Sequence, residues 1–427
     1  MAREMKDSGI SWLGQIPESW NTNTVFQIFT QVKNRNTDLQ EQNLLSLSYG
    51  KIIRKNIETT DGLLPESFDG YNIIEANDIV LRLTDLQNDQ RSLRVGLATE
   101  RGIITSAYLT IRNRSESLAK YLYYFLHSFD ISKGFYGMGA GVRQGLNWDG
   151  IKWLKVLSPP VPEQRNIVSF LDLQCARIDA VIEKTRASIE EYKKLKQAVI
   201  TQAVTKGIRP GREMKDSGVE WIGEIVSDYQ LVKLKHLLRH QLQYGANQSG
   251  VPYDELLPRY IRITDITLDG RLKGTGKLSL SEEDANDYIL QDGDVLFARS
   301  GATVGKAFIY KKEYGRAAFA GYLIKATLNG ELLPDLLFYY TQSSIYDEWK
   351  KQIFVQATIQ NIGADRYREL PIILHPPEEQ REIVSYLATK CSEIDSLIRK
   401  KEFLLNEFDS CKKSLIFEYV TGKKEVP

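Results

Sequence analysis

Apolar residues recur at helical spacing through two long stretches that contain neither proline nor glycine, 163–204 and 378–420. Each stretch begins after a proline-rich segment and is followed by a glycine, Gly207 or Gly422, a residue that commonly ends helices. At ~1.5 Å per residue, about forty residues form a helix on the order of 60 Å long. The pattern therefore predicts two long helices.

A long helix with one apolar stripe needs a partner that covers the stripe. The two predicted helices are obvious partners for each other, and we expect them to pair antiparallel about a pseudo-twofold axis. Part of the apolar surface would then remain for another subunit. The candidate residues for this helix seam or for a subunit interface are Ile178, Ile182, Ile189, Tyr192, Val199, Ile394, Leu397, Leu404, Phe408 and Leu415.

The regions ahead of the helices have a different pattern, in which short β-like runs alternate with Gly, Asp and Asn turn signals. Short amphipathic helices are predicted over 118–126 and 333–342. The predicted strands cover 72–83, 107–111, 260–266, 294–299 and 307–310. This order predicts an α+β fold in which two strand-rich domains, 1–160 and 209–375, are each followed by a long helix, 161–208 and 376–427.

The chain is a tandem duplication. The motif MKDSG at 5–9 recurs at 214–218, and P-x-x-EQR-x-IVS-x-L at 160–171 recurs at 376–387. Between these anchors, 30–75 and 240–290 show no defensible similarity. A repeat of roughly two hundred residues is far too long for a solenoid, whose repeats run to ~20–50 residues. The duplication suits one architecture that performs the same kind of task on two different targets.

Charge and cysteine content narrow the class of protein. The chain has 56 Lys+Arg against 55 Asp+Glu, and a net charge of +1 argues against a protein that coats nucleic acid non-specifically. A protein that recognises a specific DNA sequence through basic residues gathered into loops remains compatible with this net charge. Three cysteines cannot build a disulfide framework, and no signal-peptide or membrane-spanning run is present. We expect a reduced, cytoplasmic protein.

Catalytic motifs are absent from the sequence. Residues 300–306, SGATVGK, resemble a phosphate-binding loop, but only three residues separate the glycines and Ala307 follows Lys306. A strand–turn–strand corner is the favoured interpretation. The four histidines lack metal-ligand spacing. We therefore expect no catalytic residues, no metal and no cofactor bound by this chain.

Basic, amide and hydroxyl residues collect in turn-rich segments, where they suit contacts with phosphates and base edges. Any one of them could equally be a solvated surface group, but as a set they favour a nucleic-acid surface. The candidates are Lys51, Arg54, Lys55, Arg91, Arg94, Arg143, Gln144, Asn147, Arg271, Lys273, Lys277, Arg299, Ser300, Thr303, Lys306, Gln356, Thr358, Gln360 and Asn361.

With its repeated MKDSG-x-x-W-x-G-x-I and PP-x-x-EQR-x-IVS-x-L motifs, the chain resembles a specificity subunit of a type I restriction–modification system. The resemblance covers essentially the whole length. It implies two target-recognition domains that read the halves of a split, asymmetric DNA site, with the helices as a ruler between them. It also implies two modification subunits that bind S-adenosylmethionine and methylate adenine, and ATP-driven, Mg-dependent restriction subunits.

Two other functions compete with this one. The chain could be a coiled-coil scaffold whose two globular domains bind protein or ligand instead of DNA. Unchanged DNA preference after removal of charge at Arg271, Lys273 and Lys277 would favour the scaffold. A fused restriction enzyme with its own nuclease is the third possibility, and the lack of a methyltransferase or helicase motif weighs against it.

Overall fold

The computed structural model describes residues 3–58, 67–89, 91–138, 145–267, 270–355 and 361–427. The chain divides into two compact units, the first formed by 1–186 with 403–427 and the second by 187–402. Each long helix contributes one half to each unit, so the units are not simple consecutive segments. No helix within the described ranges is long and apolar enough to cross a membrane.

The first unit is a mixed α/β body followed by the first long helix. Its helices are α1 (Val25–Ile28), α2 (Ala119–Ile131), α3 (Trp148–Ile151) and α4 (Val161–Lys206), of which α4 continues into the second unit. Its strands are β1 (Met5–Asp7), β2 (Gln15–Pro17), β3 (Asn21–Thr24), β4 (Phe29–Gln31), β5 (Leu45–Ser48), β6 (Lys51–Arg54), β7 (Asn72–Ile74), β8 (Ile79–Leu81), β9 (Val95–Leu97), β10 (Gly102–Ile104), β11 (Leu109–Asn113) and β12 (Lys155–Ser158).

The second unit repeats this plan. Its strands are β13 (Met214–Asp216), β14 (Glu224–Val226), β15 (Gln230–Lys233), β16 (Gln243–Tyr244), β17 (Val251–Pro252), β18 (Arg259–Ile261), β19 (Leu278–Ser279), β20 (Val295–Ala298), β21 (Ala307–Ile309), β22 (Ala317–Phe319), β23 (Leu323–Ala326) and β24 (Pro371–Leu374). Its helices are α5 (Glu282–Ala285), α6 (Pro334–Tyr340), α7 (Ser344–Val355), α8 (Ala364–Arg368) and α9 (Pro377–Val420), whose last part belongs to the first unit.

Two long helices, the short helices α2 and α6 and most predicted strands are confirmed. The run 72–83 forms two strands instead of one, because Asn77 adopts a left-handed φ of 74° and reverses the chain between β7 and β8. Helix α7 was not predicted. The corner at SGATVGK is confirmed, since β20 and β21 pair antiparallel on either side of it.

A common framework occurs in both units. In the first, β4-β11-β8-β9 form a four-stranded sheet, and in the second β16-β23-β20-β21 form a sheet of the same order. The pairs β3–β12 and β15–β24 likewise match, each with one strand that leads directly into a long helix. The duplicated sequence therefore builds a duplicated scaffold.

The segments added to this framework share their strand neighbours but differ in their connections. In the first unit β10 pairs with β7 and is joined to the β5–β6 segment by the parallel bridge between Leu44 and Ile103, and in the second β22 pairs in parallel with β18 and is bridged to Ile289. A two-residue turn joins β5 and β6, whereas residues 262–277 separate β18 from β19. Each addition has a small apolar cluster of its own beside the main core of its unit. The two units thus carry related additions with different loops.

The repeated MKDSG motif forms a tight turn after β1 and after β13. Asp7 accepts a hydrogen bond from the backbone N–H of Gly9 at 2.9 Å, and Asp216 accepts the same bond from Gly218 at 2.9 Å. Both glycines have positive φ, 66° and 75°, which side-chain-bearing residues rarely adopt. The motif is explained by turn geometry.

The repeated EQR motif connects each long helix to the rest of its unit. Gln164 accepts a hydrogen bond from the backbone N–H of Leu118 at 2.8 Å, and Gln380 accepts the equivalent bond from Leu333 at 2.8 Å. Each glutamine also donates to the carbonyl of a residue five positions earlier. Because both glutamines are buried, these bonds satisfy backbone groups that water cannot reach.

The halves of the long helices pack antiparallel within each unit. In the first unit Lys412 donates to Asp179 at 2.6 Å, and in the second Lys196 donates to Asp395 at 2.8 Å. The aspartates occupy equivalent positions of the duplication, and so do the lysines. The same cross-helix contact therefore forms twice.

Burial of the predicted seam residues is mixed, and two of them lie on the exposed side of α9. Leu397 and Leu404 are 40% and 45% exposed, because the apolar stripe of α9 passes through the buried Ile394 and Ile398 instead. The other predicted residues are buried or half-buried: Ile178, Ile182, Ile189, Tyr192, Val199, Phe408 and Leu415. A role in a subunit interface stays a prediction for all of them.

Replacing Lys196 by methionine is expected to lower the free energy of unfolding by about 1 kcal/mol, since the ion pair is only partly buried. The reversed pair, Lys196→Asp with Asp395→Lys, should recover most of that loss in urea unfolding. Lys193→Met is the matched control, because Lys193 contacts only Glu190 of its own helix among the described residues. Equal losses for Lys196 and Lys193 would contradict a cross-helix role.

Candidate nucleic-acid interface

Among the candidates that the structure describes, Arg94 is the one that is removed from the contact surface. It is completely buried. Its guanidinium donates to the carbonyl oxygens of Arg82 at 3.0 Å, Thr84 at 2.7 Å and Asp85 at 3.2 Å, and also to that of Asp89. The expectation of a DNA contact was wrong here because the donors of this side chain bind the carbonyl groups of the loop 82–89 and the Tyr136 hydroxyl inside the unit.

Most other candidates of the first unit lie on its surface. Lys51, Lys55 and Arg91 are exposed. Arg54 is exposed as well, but it pairs with Glu100, with Nε–Oε distances of 2.7 and 2.8 Å. This contact raises the pKa of Arg54 and lowers that of Glu100. Arg54 therefore has to exchange a carboxylate partner before it can bind a phosphate.

Five candidates, Arg143, Gln144, Gln356, Thr358 and Gln360, lie outside the described residues. Two further candidates next to these segments, Asn147 and Asn361, are described and make different contacts. Asn147 is exposed and caps α3, where its side chain accepts a hydrogen bond from the backbone N–H of Gly150 at 3.1 Å. Asn361 is exposed and forms an isolated antiparallel bridge with Ser300.

The second unit gathers five candidates at one end of its framework sheet. Arg299 and Ser300 directly follow β20, Thr303 and Lys306 lie in the turn before β21, and Asn361 is joined to Ser300 by the bridge. Lys306 is half-buried, and burial together with the nearby Lys350 lowers its pKa. This end of the sheet combines cationic, amide and hydroxyl groups on a rigid support.

A second basic group in this unit lies in the loop before β19. Lys273 is exposed, and its ammonium donates to the carbonyl oxygen of Thr264 at 2.6 Å. Lys277 lies over the Tyr253 ring at 5.0 Å from its centre. The exposed Arg271 donates its backbone N–H to Thr267 at 2.9 Å. The loop is therefore internally bonded while two of its cationic side chains face solvent.

Several aromatic side chains that the sequence did not mark as surface residues are exposed. Tyr244 and Tyr322 are 41% and 62% exposed and lie next to Arg299. In the first unit Phe26 and Trp153 are exposed with ring centres 5.8 Å apart. Single aromatic residues in strand-rich sequence are usually assigned to the core, so no pattern in the sequence marked these four as surface residues.

Within the part of the chain that the structure describes, no group of His, Cys, Asp and Glu side chains is arranged to hold a metal ion. His375 is buried in the second unit, where a ring nitrogen lies 3.0 Å from the Val204 carbonyl oxygen. Burial lowers the pKa of His375 to about 4, so the ring is neutral at pH 7.

This buried histidine predicts acid sensitivity. The unfolded chain, with an ordinary histidine pKa of ~6.5, binds a proton that the folded chain excludes until about pH 4. Stability should therefore fall by about 3 kcal/mol from this residue as the pH drops from 6.5 to 4. Urea unfolding across that range should show a shallower decline for His375→Gln than for wild type, and parallel curves would contradict the prediction.

Comparison with known proteins adds three findings. A family model described as "Type I restriction modification DNA specificity domain" matches residues 260–405. The chain is 23% identical over 310 residues to the type I restriction enzyme EcoKI specificity subunit of Escherichia coli K12, a match that covers 70% of this chain and 65% of that subunit's length. It is 24% identical over 440 residues to the putative type I restriction enzyme MjaX specificity subunit of Methanocaldococcus jannaschii, covering 97% and 96% of the two chains.

The fold also matches a solved structure. One chain, from a structure of complex assembly and conformational transition of the type I R-M system, superposes with a TM-score of 0.69 at 15% identity and covers 96% of this chain and 99% of that one. This likeness concerns the fold, and it extends over both units and both long helices. Residues 260–405 thus match the family of type I restriction–modification DNA specificity domains, and the chain is similar along nearly its whole length to a type I specificity subunit.

Proposed function

We propose that this chain is a non-catalytic DNA-recognition subunit that reads two different short sequences separated by an unread spacer. One observation carries the proposal. The same framework sheet occurs in both units, while the segments added to it differ in sequence and in the length of their loops. A duplicated support with two dissimilar reading surfaces suits a split and asymmetric DNA target.

The distribution of charge favours sequence-specific DNA recognition over sequence-independent DNA binding. The net charge of +1 leaves too little excess positive charge for strong sequence-independent binding. Exposed cations lie on and directly after β6, at Lys51 and Lys55, and in the loop before β19, at Lys273. Phosphate contacts from these residues would position each domain, and base contacts would supply specificity.

The proposal includes partners that carry the chemistry. Methyltransferase subunits would bind S-adenosylmethionine and modify adenine, and restriction subunits would use ATP and Mg²⁺. The long helices expose apolar side chains that a partner could cover, among them Leu173 (52%), Leu195 (49%) and Phe403 (63%). Exposed apolar residues on a helix surface favour docking of another protein over contact with water.

Selection from a pool of DNA duplexes with a randomised central region tests the proposal. The chain alone and the chain with its methyltransferase subunit are incubated with the pool, and bound duplexes are sequenced. Two short conserved blocks at a constant separation are expected. A single contiguous block, or no preference with the methyltransferase subunit present, would contradict the proposal and favour a scaffold that binds protein or ligand.

A further inference from the structure

Arg299 occupies a framework position at which the two units differ in chemistry. Its backbone carbonyl accepts a hydrogen bond from the N–H of Ile362 at 2.8 Å. In the first unit the equivalent bond runs from Leu146 to the carbonyl of Leu83, also at 2.8 Å. The Leu83 side chain is buried, whereas Arg299 is half-exposed at the end of β20. Equivalent framework positions are thus occupied by a buried leucine in the first unit and by a half-exposed arginine in the second.

The Arg299 side chain is positioned by its surroundings. Its backbone N–H donates to the carbonyl of Tyr322 at 3.0 Å, so both the N–H and the carbonyl of Arg299 are hydrogen-bonded. The guanidinium carbon lies 4.9 Å from the centre of the Tyr244 ring. Tyr244 is itself held, since its hydroxyl accepts a hydrogen bond from the N–H of Ala364 at 2.9 Å. The ring is therefore a fixed support for the guanidinium.

No carboxylate neutralises this cation in the described part of the chain, and its Nε is a buried donor without an acceptor there. By contrast, Arg316 of the same unit forms two hydrogen bonds with Glu282. An arginine that stays unpaired while neighbouring arginines are paired retains its donors for a ligand. The exposed amides Asn247, Gln248 and Asn361 lie on segments at the same end of the sheet.

From this arrangement we infer that Arg299 is a specificity-determining residue that reads a guanine in the half-site bound by the second unit. The inference rests on the proposed function. A guanidinium matches the O6 and N7 acceptors that guanine presents in the major groove. A rigid, stacked side chain on a strand end favours base reading, which demands fixed geometry, over phosphate contact, which tolerates a mobile cation. Leu83 cannot make this contact, so the first unit must read its half-site differently.

The test compares wild type with Arg299→Lys, which keeps the charge but loses the two-pronged donor geometry. Both are assembled with the methyltransferase subunit and selected on randomised duplexes. We expect the variant to lose at least ~10-fold of its preference for guanine at one base pair of one half-site. The other half-site should be unchanged. Arg316→Lys is the matched control and should keep both half-sites.

A modified duplex tests the same contact without mutating the protein. Replacing the inferred guanine by 7-deazaguanine removes the N7 acceptor, and wild type should bind this duplex ~5-fold or more weakly than the unmodified one. Arg299→Met, which has no donor for N7, should bind the two duplexes equally. A uniform loss of affinity across all sequences would show a phosphate contact and overturn the inference, as would an unchanged guanine preference. Absence of any half-site for wild type would instead overturn the proposed function.

Discussion

Replacing Arg94 by methionine is expected to destabilise the first unit by about 4 kcal/mol, because several backbone carbonyls of the loop 82–89 lose a charged donor at once. The Nε bond to the Tyr136 hydroxyl, 3.0 Å long, is lost as well. The second unit contains none of these groups and should keep its stability. Hydrogen exchange of the intact protein at increasing urea concentration, with the amides of each unit followed separately, would measure the difference.

Arg91→Met is the control for this experiment. Arg91 is exposed, and its substitution should change stability by less than ~0.5 kcal/mol. If Arg94 acted mainly on DNA, Arg94→Met would leave the unfolding curve unchanged and weaken binding alone. That outcome would contradict the structural role assigned here.

Lengthening both long helices together is expected to abolish modification of the natural DNA site, with a loss of at least ~100-fold. Seven residues inserted after Arg186 and seven after Glu402 keep the apolar stripes facing each other, since a heptad is close to two helical turns. Each helix becomes ~10 Å longer. If the helix pair sets the separation of the reading domains, the preferred spacer should grow by about 3 base pairs at ~3.4 Å each.

Duplexes that share the natural half-sites and differ only in spacer length would measure this shift. Seven residues inserted into α4 alone serve as the control, because they break the match between the helices and should lower stability without producing a new preferred spacer. An unchanged spacer preference in the doubly lengthened protein, or altered half-site sequences, would contradict the ruler hypothesis.

The repeats made much of the fold predictable. Helical periodicity and flanking proline and glycine located α4 and α9, because helix formation depends on residues three and four positions apart. The repeated motifs also indicated equivalent positions, and the structure assigns them matching contacts, such as those of Gln164 and Gln380. Local spacing carries this kind of information well.

Candidate site residues were predictable only as a class. Arg94 and Arg299 are both arginines in turn-rich sequence, but one is buried among carbonyl groups and the other is half-exposed beside a tyrosine ring. Nothing in their local sequence separates the two cases. The exposure of Tyr322 could not be predicted from the sequence either, since its surroundings come from strands distant in the chain.

The sequence by itself determined the duplication, the two long helices and the class of residues available for DNA contact, because these depend on local periodicity and on matches along the chain. Only the tertiary structure decided which face of α9 is buried, that Arg94 belongs to the interior, and that Leu83 and Arg299 share one framework position. The physical reason is that burial and hydrogen-bond partners are set by segments far apart in sequence, whose approach no local pattern encodes.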